Sequence, residues 1–135
     1  MAPSFGAFTV AVDGTPWATT FPVVTDLVIS ATGGHVAALG SNDNTAFAVL
    51  CDGKVWGGRY DMAWKPVFSA DGAHLAVNVE RGGVHTVVCD GKAYPKSFEK
   101  CFAPAFSPDG TKVLIRGIEG GKAYRIVAPL EAFTG

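Results

Sequence analysis

Apolar positions along this chain form short runs, and each run ends at a cluster of Gly, Asp, Asn, Ser or Pro. In runs such as "VAALG" and "LAVNV" neighbouring positions are apolar, which predicts strands that are buried on both faces. The shortness of the runs favours strands over helices. The predicted strands cover residues 8–12, 16–21, 23–30, 35–41, 46–51, 55–60, 63–69, 74–80, 84–89, 93–98, 102–107, 112–118 and 123–128.

One turn sequence occurs three times. Each occurrence has an Asp-Gly pair between two apolar runs, which favours a two-residue hairpin turn because such a turn needs positive φ. An aromatic residue lies at the same distance after each Asp-Gly pair, and successive copies of this sequence are 39 and 38 residues apart. The repeated positions are Asp13, Gly14 and Trp17, then Asp52, Gly53 and Trp56, then Asp90, Gly91 and Tyr94.

Two further turn sequences keep the same period. The first appears as "ISATGGHV", "FSADGAHL" and "FSPDGTKV", and the second as "SNDNT", "ERGG" and "IEGG". Three turns in each period leave four strands, and four antiparallel strands in about 40 residues are typical of a β-propeller blade. The sequence therefore predicts one all-β domain over 1–135 with three blades, in which 8–21 is a partial repeat that completes a blade. An antiparallel solenoid or sandwich is the structural alternative.

Composition narrows the possible partners. The formal net charge is −1 without a basic cluster, so we expect no nucleic acid partner. No apolar run approaches the ~20 residues of a membrane span, so we expect no direct insertion into a membrane. The first residues lack a signal-peptide pattern, which favours a cytoplasmic location. All 11 Lys and Arg lie at or after Lys54, so the first part of the chain is acidic and the rest is basic.

The residue types that could carry chemistry do not form a known motif. His35 and His74 occupy equivalent positions where the third repeat has Lys112, which predicts exposure to solvent, and His85 stands alone. The repeated aspartates are explained as turn formers by the glycines that follow them. "NDN" at 42–44 lacks the spaced acids of a calcium loop, and the sequence contains no nucleophile elbow or phosphate-binding loop. We therefore predict no enzyme activity, no cofactor and no metal.

The cysteines and aromatic residues are predicted to be structural. The odd set of Cys51, Cys89 and Cys101 in a reducing compartment favours buried thiols over disulfides. Aromatic residues at a fixed repeat position usually pack between blades. Trp64 differs because it is predicted near the start of an innermost strand, where a central channel would open. It is the candidate contact for a partner or a small ligand such as a glycan.

The "FSPDG" and "FSADG" turns resemble the WD40-like repeats of the TolB type, in which this loop joins the first two strands of a blade. Together with "VDGxxW" and "MAWKPVFSADG", the chain from Phe8 to about Phe133 resembles the C-terminal part of the tryptophan-rich subunits of the Tmc transmembrane electron-transfer complex of sulfate-reducing bacteria. That resemblance implies a cytoplasmic structural protein without its own cofactor, associated with other electron-transfer proteins. Those proteins have more repeats, so it also implies a fragment or short relative of a larger ring.

Three blades cannot close a ring, because propellers need about 4–8 blades and an open arc exposes an apolar face at each end. We therefore expect a homo-oligomer in which the end of one chain meets the beginning of the next, supported by the charge difference between the two ends. A trimer is favoured over a dimer because the longer proteins it resembles have many repeats. Strand 16–21 would supply the fourth strand of the last blade, although 8–12 and 123–128 are equivalent third strands that compete for one place.

Overall fold

A computed structural model describes residues 11–12, 14–16, 23–30, 34–41, 46–56 and 59–134. Within these ranges the chain is all-β, as predicted, and its only helical segment is a 3₁₀ turn at Leu130–Ala132. The strands are β1 (Ala11–Val12), β2 (Thr15–Pro16), β3 (Val23–Ile29), β4 (Val36–Ser41), β5 (Phe47–Cys51), β6 (Lys54–Val55), β7 (Met62–Ala63), β8 (Val67–Phe68), β9 (Leu75–Arg81), β10 (Val84–Cys89), β11 (Lys92–Ala93), β12 (Lys100–Cys101), β13 (Ala105–Phe106), β14 (Lys112–Glu119) and β15 (Lys122–Pro129).

In the described part of the chain the strands form three larger antiparallel sheets and one hairpin, and none of these sheets is closed. Sheet 1 has the order β3-β4-β5-β6. Sheet 2 has the order β11-β10-β9, with β7 and β8 both paired to β9. Sheet 3 has β15 paired to β14, and β12 and β13 both paired to the other side of β14. The N-terminal hairpin consists of β1 and β2.

The Asp-Gly turns form as predicted. Asp52 and Asp90 have φ values of 50° and 52°, and the glycines at the repeat position have φ values between 81° and 84°. The register around each turn is also the same. The equivalent pairs are Ala11 with Pro16, Leu50 with Val55, and Val88 with Ala93. Asp13 and Trp17 lie outside the described residues. The 38–39-residue period is therefore a structural repeat.

The innermost strands are less regular than predicted. In place of each of the expected strands 63–69 and 102–107 the structure has two short strands, β7 and β8, and β12 and β13, and the first of each pair begins before the predicted range. Between the two short strands, three residues on the inner strand oppose two residues on the next strand. The interruptions contain Pro66 and Pro104, which have no N–H to donate to a ladder. Sheet 1 has a register shift at the same place, between Thr25 and Val28, and there Asp26 has a φ of 54°. All three sheets thus carry a β-bulge on their innermost strand.

The outermost strands are shorter than predicted. Of the expected strands 55–60 and 93–98, only β6 and β11 pair continuously with the neighbouring strand. Farther along each segment there is an isolated bridge to the neighbouring strand, Tyr60 with Phe47 and Phe98 with His85. The Tyr60 and Phe98 side chains are buried, at 6% and 0% exposure.

Packing between the sheets forms the core. Alternate residues of β9 point to opposite faces of sheet 2. Leu75 and Val77 join the cluster that contains Leu39 and Val49 of sheet 1. Ala76 on the other face joins the cluster that includes Val113 and Ile115 of sheet 3. Sheet 2 is therefore buried on both faces, which explains the apolar runs on consecutive positions.

Phe98 is the largest fully buried side chain among the described residues, and it requires a glycine in sheet 3. A Cβ atom at Gly117 would lie 2.7 Å from Cγ of Phe98 and 3.0 Å from the carbonyl oxygen of Lys100. Neither neighbour can move freely, because the ring is enclosed and the carbonyl belongs to β12. The close contact between sheets 2 and 3, and not backbone conformation, therefore requires glycine at position 117.

We expect Gly117→Val to destabilise the protein by about 3 kcal/mol, since added atoms in a packed core force side chains and backbone to shift. Ala123→Val is the matched control, because Ala123 is exposed on β15 of the same sheet, and we expect it to change stability by less than ~0.5 kcal/mol. Urea unfolding would measure both. Equal midpoints for the two variants would contradict this packing.

The Ser-x-Asp-Gly turns join the innermost strand to the second strand. Ser107 Oγ donates to Asp109 Oδ1 at 2.6 Å, and the backbone N–H and hydroxyl of Thr111 donate to the same carboxylate oxygen. These bonds stabilise the ionised form and lower the pKa of Asp109 from 3.8 to about 2. Ser69 and Ala73 make the corresponding bonds to Asp71, whose pKa is also lowered.

The Asp109 turn makes stability depend on acidic pH. A carboxyl group with a depressed folded-state pKa contributes stability above its unfolded pKa, and the contribution is lost as pH falls through the folded pKa. For Asp109 this window runs from about 4 down to about 2. We expect Ser107→Ala to raise the Asp109 pKa in an NMR titration, whereas Ser69→Ala should move only Asp71. An Asp109 pKa that is unchanged by Ser107→Ala would refute the assignment.

Candidate functional site

A His–Asp pair occurs at the same place in sheets 1 and 2. His35 Nδ1 lies 2.6 Å from Asp52 Oδ2, and His74 Nδ1 lies 2.6 Å from Asp90 Oδ2. The second oxygen of each carboxylate accepts a backbone N–H from the start of the second strand, from Val36 at 2.9 Å and from Leu75 at 3.0 Å. Each aspartate thus connects the hairpin between the third and fourth strands to the second strand of its own sheet.

This pairing changes the interpretation of the histidines. The sequence predicted that they are exposed, but the side chains are only half-exposed, at 44% for His35 and 32% for His74. A signal for the pairing was present in the repeat. Where the third repeat has Lys112 in place of His, it has Ala128 in place of Asp. The two residues are therefore replaced together, as expected of side chains that bind each other.

The His–Asp pairs also lie where one sheet meets the next. The His35 ring lies 6.3 Å from the Phe68 ring of sheet 2, and the His74 ring lies 6.5 Å from the Phe106 ring of sheet 3. A Cβ atom at Gly72 would contact His35 Cδ2 at 3.1 Å, so the turn of sheet 2 rests directly on this histidine. The pairs therefore stabilise both the sheet and the contact between sheets.

A recess of about 220 Å³ lies beside the first pair, lined by residues that include both histidines and both aspartates of the pairs. Cys51 also borders it, and burial together with the neighbouring Asp52 and Asp90 raises the pKa of this thiol to about 11. Burial raises the pKa of Cys89 to about 12 and that of Cys101 to about 11. All three cysteines are free, and at neutral pH they are protonated thiols with little nucleophilic character.

The repeated aromatic residues pack at the outer part of the sheets. Trp56 and Tyr94 are partly buried against the clusters of sheets 1 and 2 rather than in their centres. Gly91 lies over the Trp56 ring, with a Cβ position 3.9 Å from Cγ. Tyr94 contacts the Phe133 ring at 5.4 Å between centroids. Their position agrees with packing between neighbouring repeats.

Trp64 lies in the bulge of sheet 2, with its backbone N–H bound to the Asn78 carbonyl at 3.1 Å. Its ring stacks on His85 with centroids 5.4 Å apart and is 36% exposed. Two buried polar atoms lie on the same face of the sheet, Asn78 Oδ1 and His85 Nδ1, and neither has a hydrogen-bond partner within the described part of the chain. The sequence singled out Trp64 as a contact and showed His85 as an isolated histidine, but it did not point to Asn78.

One face of sheet 3 is exposed, whereas the equivalent faces of sheets 1 and 2 are each covered by the next sheet. Val113, Ile115 and Gly117 face sheet 2, so the alternate residues of β14 point to the opposite face. We call this opposite surface the outer face of sheet 3. Its residues are Phe102, Leu114, Arg116, Ile118, Ala123, Arg125 and Val127.

The outer face is both apolar and basic. Phe102 and Val127 are 41% and 53% exposed. Arg116 and Arg125 lie directly opposite each other in the ladder and are both exposed. Two like charges in this position repel each other, so the pair favours an added anion or aromatic ring between the guanidinium groups. The face therefore has the chemistry of an interaction surface.

No family model and no curated protein matches the chain. Across the described ranges, no group of three or more His, Cys, Asp or Glu side chains is arranged to hold a metal ion. In the same ranges no helix has the length and apolar character of a membrane span.

Substitutions of Asp90 can separate the contribution of its carboxylate hydrogen bonds from that of its positive φ. Asp90→Gly keeps a residue that tolerates positive φ but removes the carboxylate, and we expect a loss of about 1–2 kcal/mol from the missing hydrogen bonds. Asp90→Ala adds backbone strain, so we expect about 1 kcal/mol more. Thermal or urea unfolding would measure the two values. A stability of Asp90→Gly equal to that of the unsubstituted protein would contradict the role of the carboxylate.

Proposed function

We propose that this chain is a non-catalytic structural and interaction module made of three β-propeller blades, which correspond to sheets 1, 2 and 3. The main support for this proposal is a difference between two sheets. Sheet 2 is covered on both faces, whereas the outer face and the β15 edge of sheet 3 are open within the described residues. A surface that is buried in one repeat and open in the next indicates a place for another molecule.

The chemistry of the polar residues supports this proposal. The His–Asp pairs and the Ser-x-Asp-Gly turns use their polar atoms to bind strands and turns of the same chain. The cysteine thiols have raised pKa values. These polar residues and thiols therefore stabilise the fold, and in this proposal the module acts through its surfaces.

The resemblance to the tryptophan-rich Tmc proteins suggests the setting. In that interpretation the protein is cytoplasmic, holds no cofactor of its own and contacts other members of an electron-transfer complex. Co-purification from a cell that makes such a complex would test this setting. Recovery of the chain without any other member of the complex would count against it.

The module also associates with itself in this proposal. The beginning of one chain meets the end of the next, and three copies are favoured over two because the longer proteins that the sequence resembles have many repeats. The acidic first part and the basic remainder of the sequence favour this head-to-tail contact.

Light scattering at micromolar concentration tests the association. We expect a mass three times the 14.0 kDa of one chain, because three copies close the ring. High salt should weaken the complex, since opposite charges on the two ends are screened. A mass of one chain would overturn the association, and twice that mass would replace the trimer with a dimer.

A small-molecule or glycan-binding propeller is the second candidate. The partly exposed Trp64 ring favours it, because aromatic rings form stacking platforms for such ligands. A titration with a glycan panel that changes tryptophan fluorescence in the unsubstituted protein, but not in Trp64→Leu, would support this function. The structural function predicts no such difference.

A further inference from the structure

The β15 edge of sheet 3 lacks the neighbour that the equivalent strands have. In sheets 1 and 2 the third strands, β5 and β10, each pair with a strand on both sides. All eight residues of β15 pair with β14, and its other edge is unpaired within the described residues. The chain then turns away, and the N–H of Thr134 binds the carbonyl of Ala93 in sheet 2.

The backbone groups on this edge are oriented for another strand. The N–H of Leu130 binds the Thr111 carbonyl, so alternation in the ladder directs the N–H and C=O groups of Arg125 and Val127 away from β14. At the equivalent place in β10, the Val87 carbonyl accepts the N–H of Tyr94 from the fourth strand. A strand of matching register can therefore continue sheet 3.

The side chains beside this edge differ from those in the first two sheets. Leu39 and Asn78 occupy the place of Arg116 and are buried, at 1% and 4% exposure. In sheet 3 that place and its cross-strand neighbour are both arginine. Arg116 donates from Nη2 to the Ala103 carbonyl, whereas Arg125 makes no hydrogen bond or ion pair within the described residues. An occupant of this edge would therefore meet an unpaired guanidinium group.

The N-terminal hairpin carries a strand with the required register. Thr15 and Pro16 pair with Val12 and Ala11 in the manner in which Lys92 and Ala93 pair with Cys89 and Val88. Pro16 suits an outermost strand, where the missing N–H would face away from the sheet.

We propose that β2 of a second copy adds to the open edge of β15 as an antiparallel fourth strand, which gives the self-association of the proposed function a defined register. Thr15 of that copy lies opposite Val127, and Pro16 lies opposite Ile126.

The addition of β2 to β15 also decides which of the two equivalent third strands, β1 or β15, pairs with β2. In the structure β2 pairs with β1, and β1 is the repeat equivalent of Ile126–Val127 in β15. Within the described residues β1 and β2 join no larger sheet, and a two-stranded hairpin has little stability of its own, whereas β15 belongs to a sheet packed on sheet 2. The supported strand β15 therefore takes β2 from β1 when a second copy is present.

Disulfide cross-linking between two different variants tests the register. Chains with Thr15→Cys are mixed with chains with Val127→Cys and oxidised near pH 8, where the raised pKa values keep the native thiols protonated. Directly opposite residues have Cα atoms about 5.5 Å apart, which allows a disulfide. We expect a covalent dimer that neither variant forms alone. Ala123→Cys replaces Val127→Cys in the control mixture, because Ala123 is exposed on the same face of β15 but out of register.

The outcomes separate this proposal from the association itself. A multimer in light scattering that gives no dimer, or gives equal amounts with Ala123→Cys, overturns the β2–β15 register but leaves the association. A monomer overturns both.

Discussion

The structure depends on the burial of both faces of sheet 2. Leu75 and Val77 need sheet 1, while Ala76 on the same strand needs sheet 3, so neither neighbour can be removed without exposing apolar surface. This requirement explains why the chain repeats itself, since one four-stranded unit cannot cover its own faces. It also explains the position of Gly117, because close approach of sheet 3 leaves no room for a side chain against Phe98. The polar contacts then fix the turns at the edges of this apolar stack.

Much of the fold could be predicted because its turns are local. Asp52 and Gly53 determine their hairpin through positive φ, and the same chemistry recurs at Asp90. The all-β, antiparallel arrangement followed from that period, and the observed register around the hairpins recurs with it. The second contact of each aspartate could not be obtained in this way, since it depends on where a strand 16 residues earlier comes to lie. Only the joint change to Lys112 and Ala128 in the third repeat carried that information.

The bulges limited the prediction of the candidate sites. A register shift of one residue changes which side chains share a face, and this shift brings Trp64 onto His85. Pro66 and Pro104 lie within the predicted innermost strands and are a sequence signal for an interruption, but they do not indicate which side chains the interruption brings together. The environment of Asn78 could not be predicted either, because its side-chain amide lies against the Cys101 carbonyl of sheet 3, which is distant in sequence. Contacts between sheets are set by tertiary packing, whereas the turn residues act within a few positions of the chain.

The outer face of sheet 3 shows how one repeat can end a stack and still support an interaction. Along the series Leu39, Asn78 and Arg116, the same position changes from apolar to amide to cation while its exposure increases. Arginine keeps such a face hydrated when it is unoccupied, yet its planar guanidinium group can stack on an aromatic ring. Contacts within the chain are held at high effective concentration by their connecting strands, whereas a contact between chains depends on protein concentration. In the self-association proposed above, an exposed cation at the contact between copies would therefore make that contact reversible, whereas the apolar contacts between sheets within each chain would stay closed on dissociation.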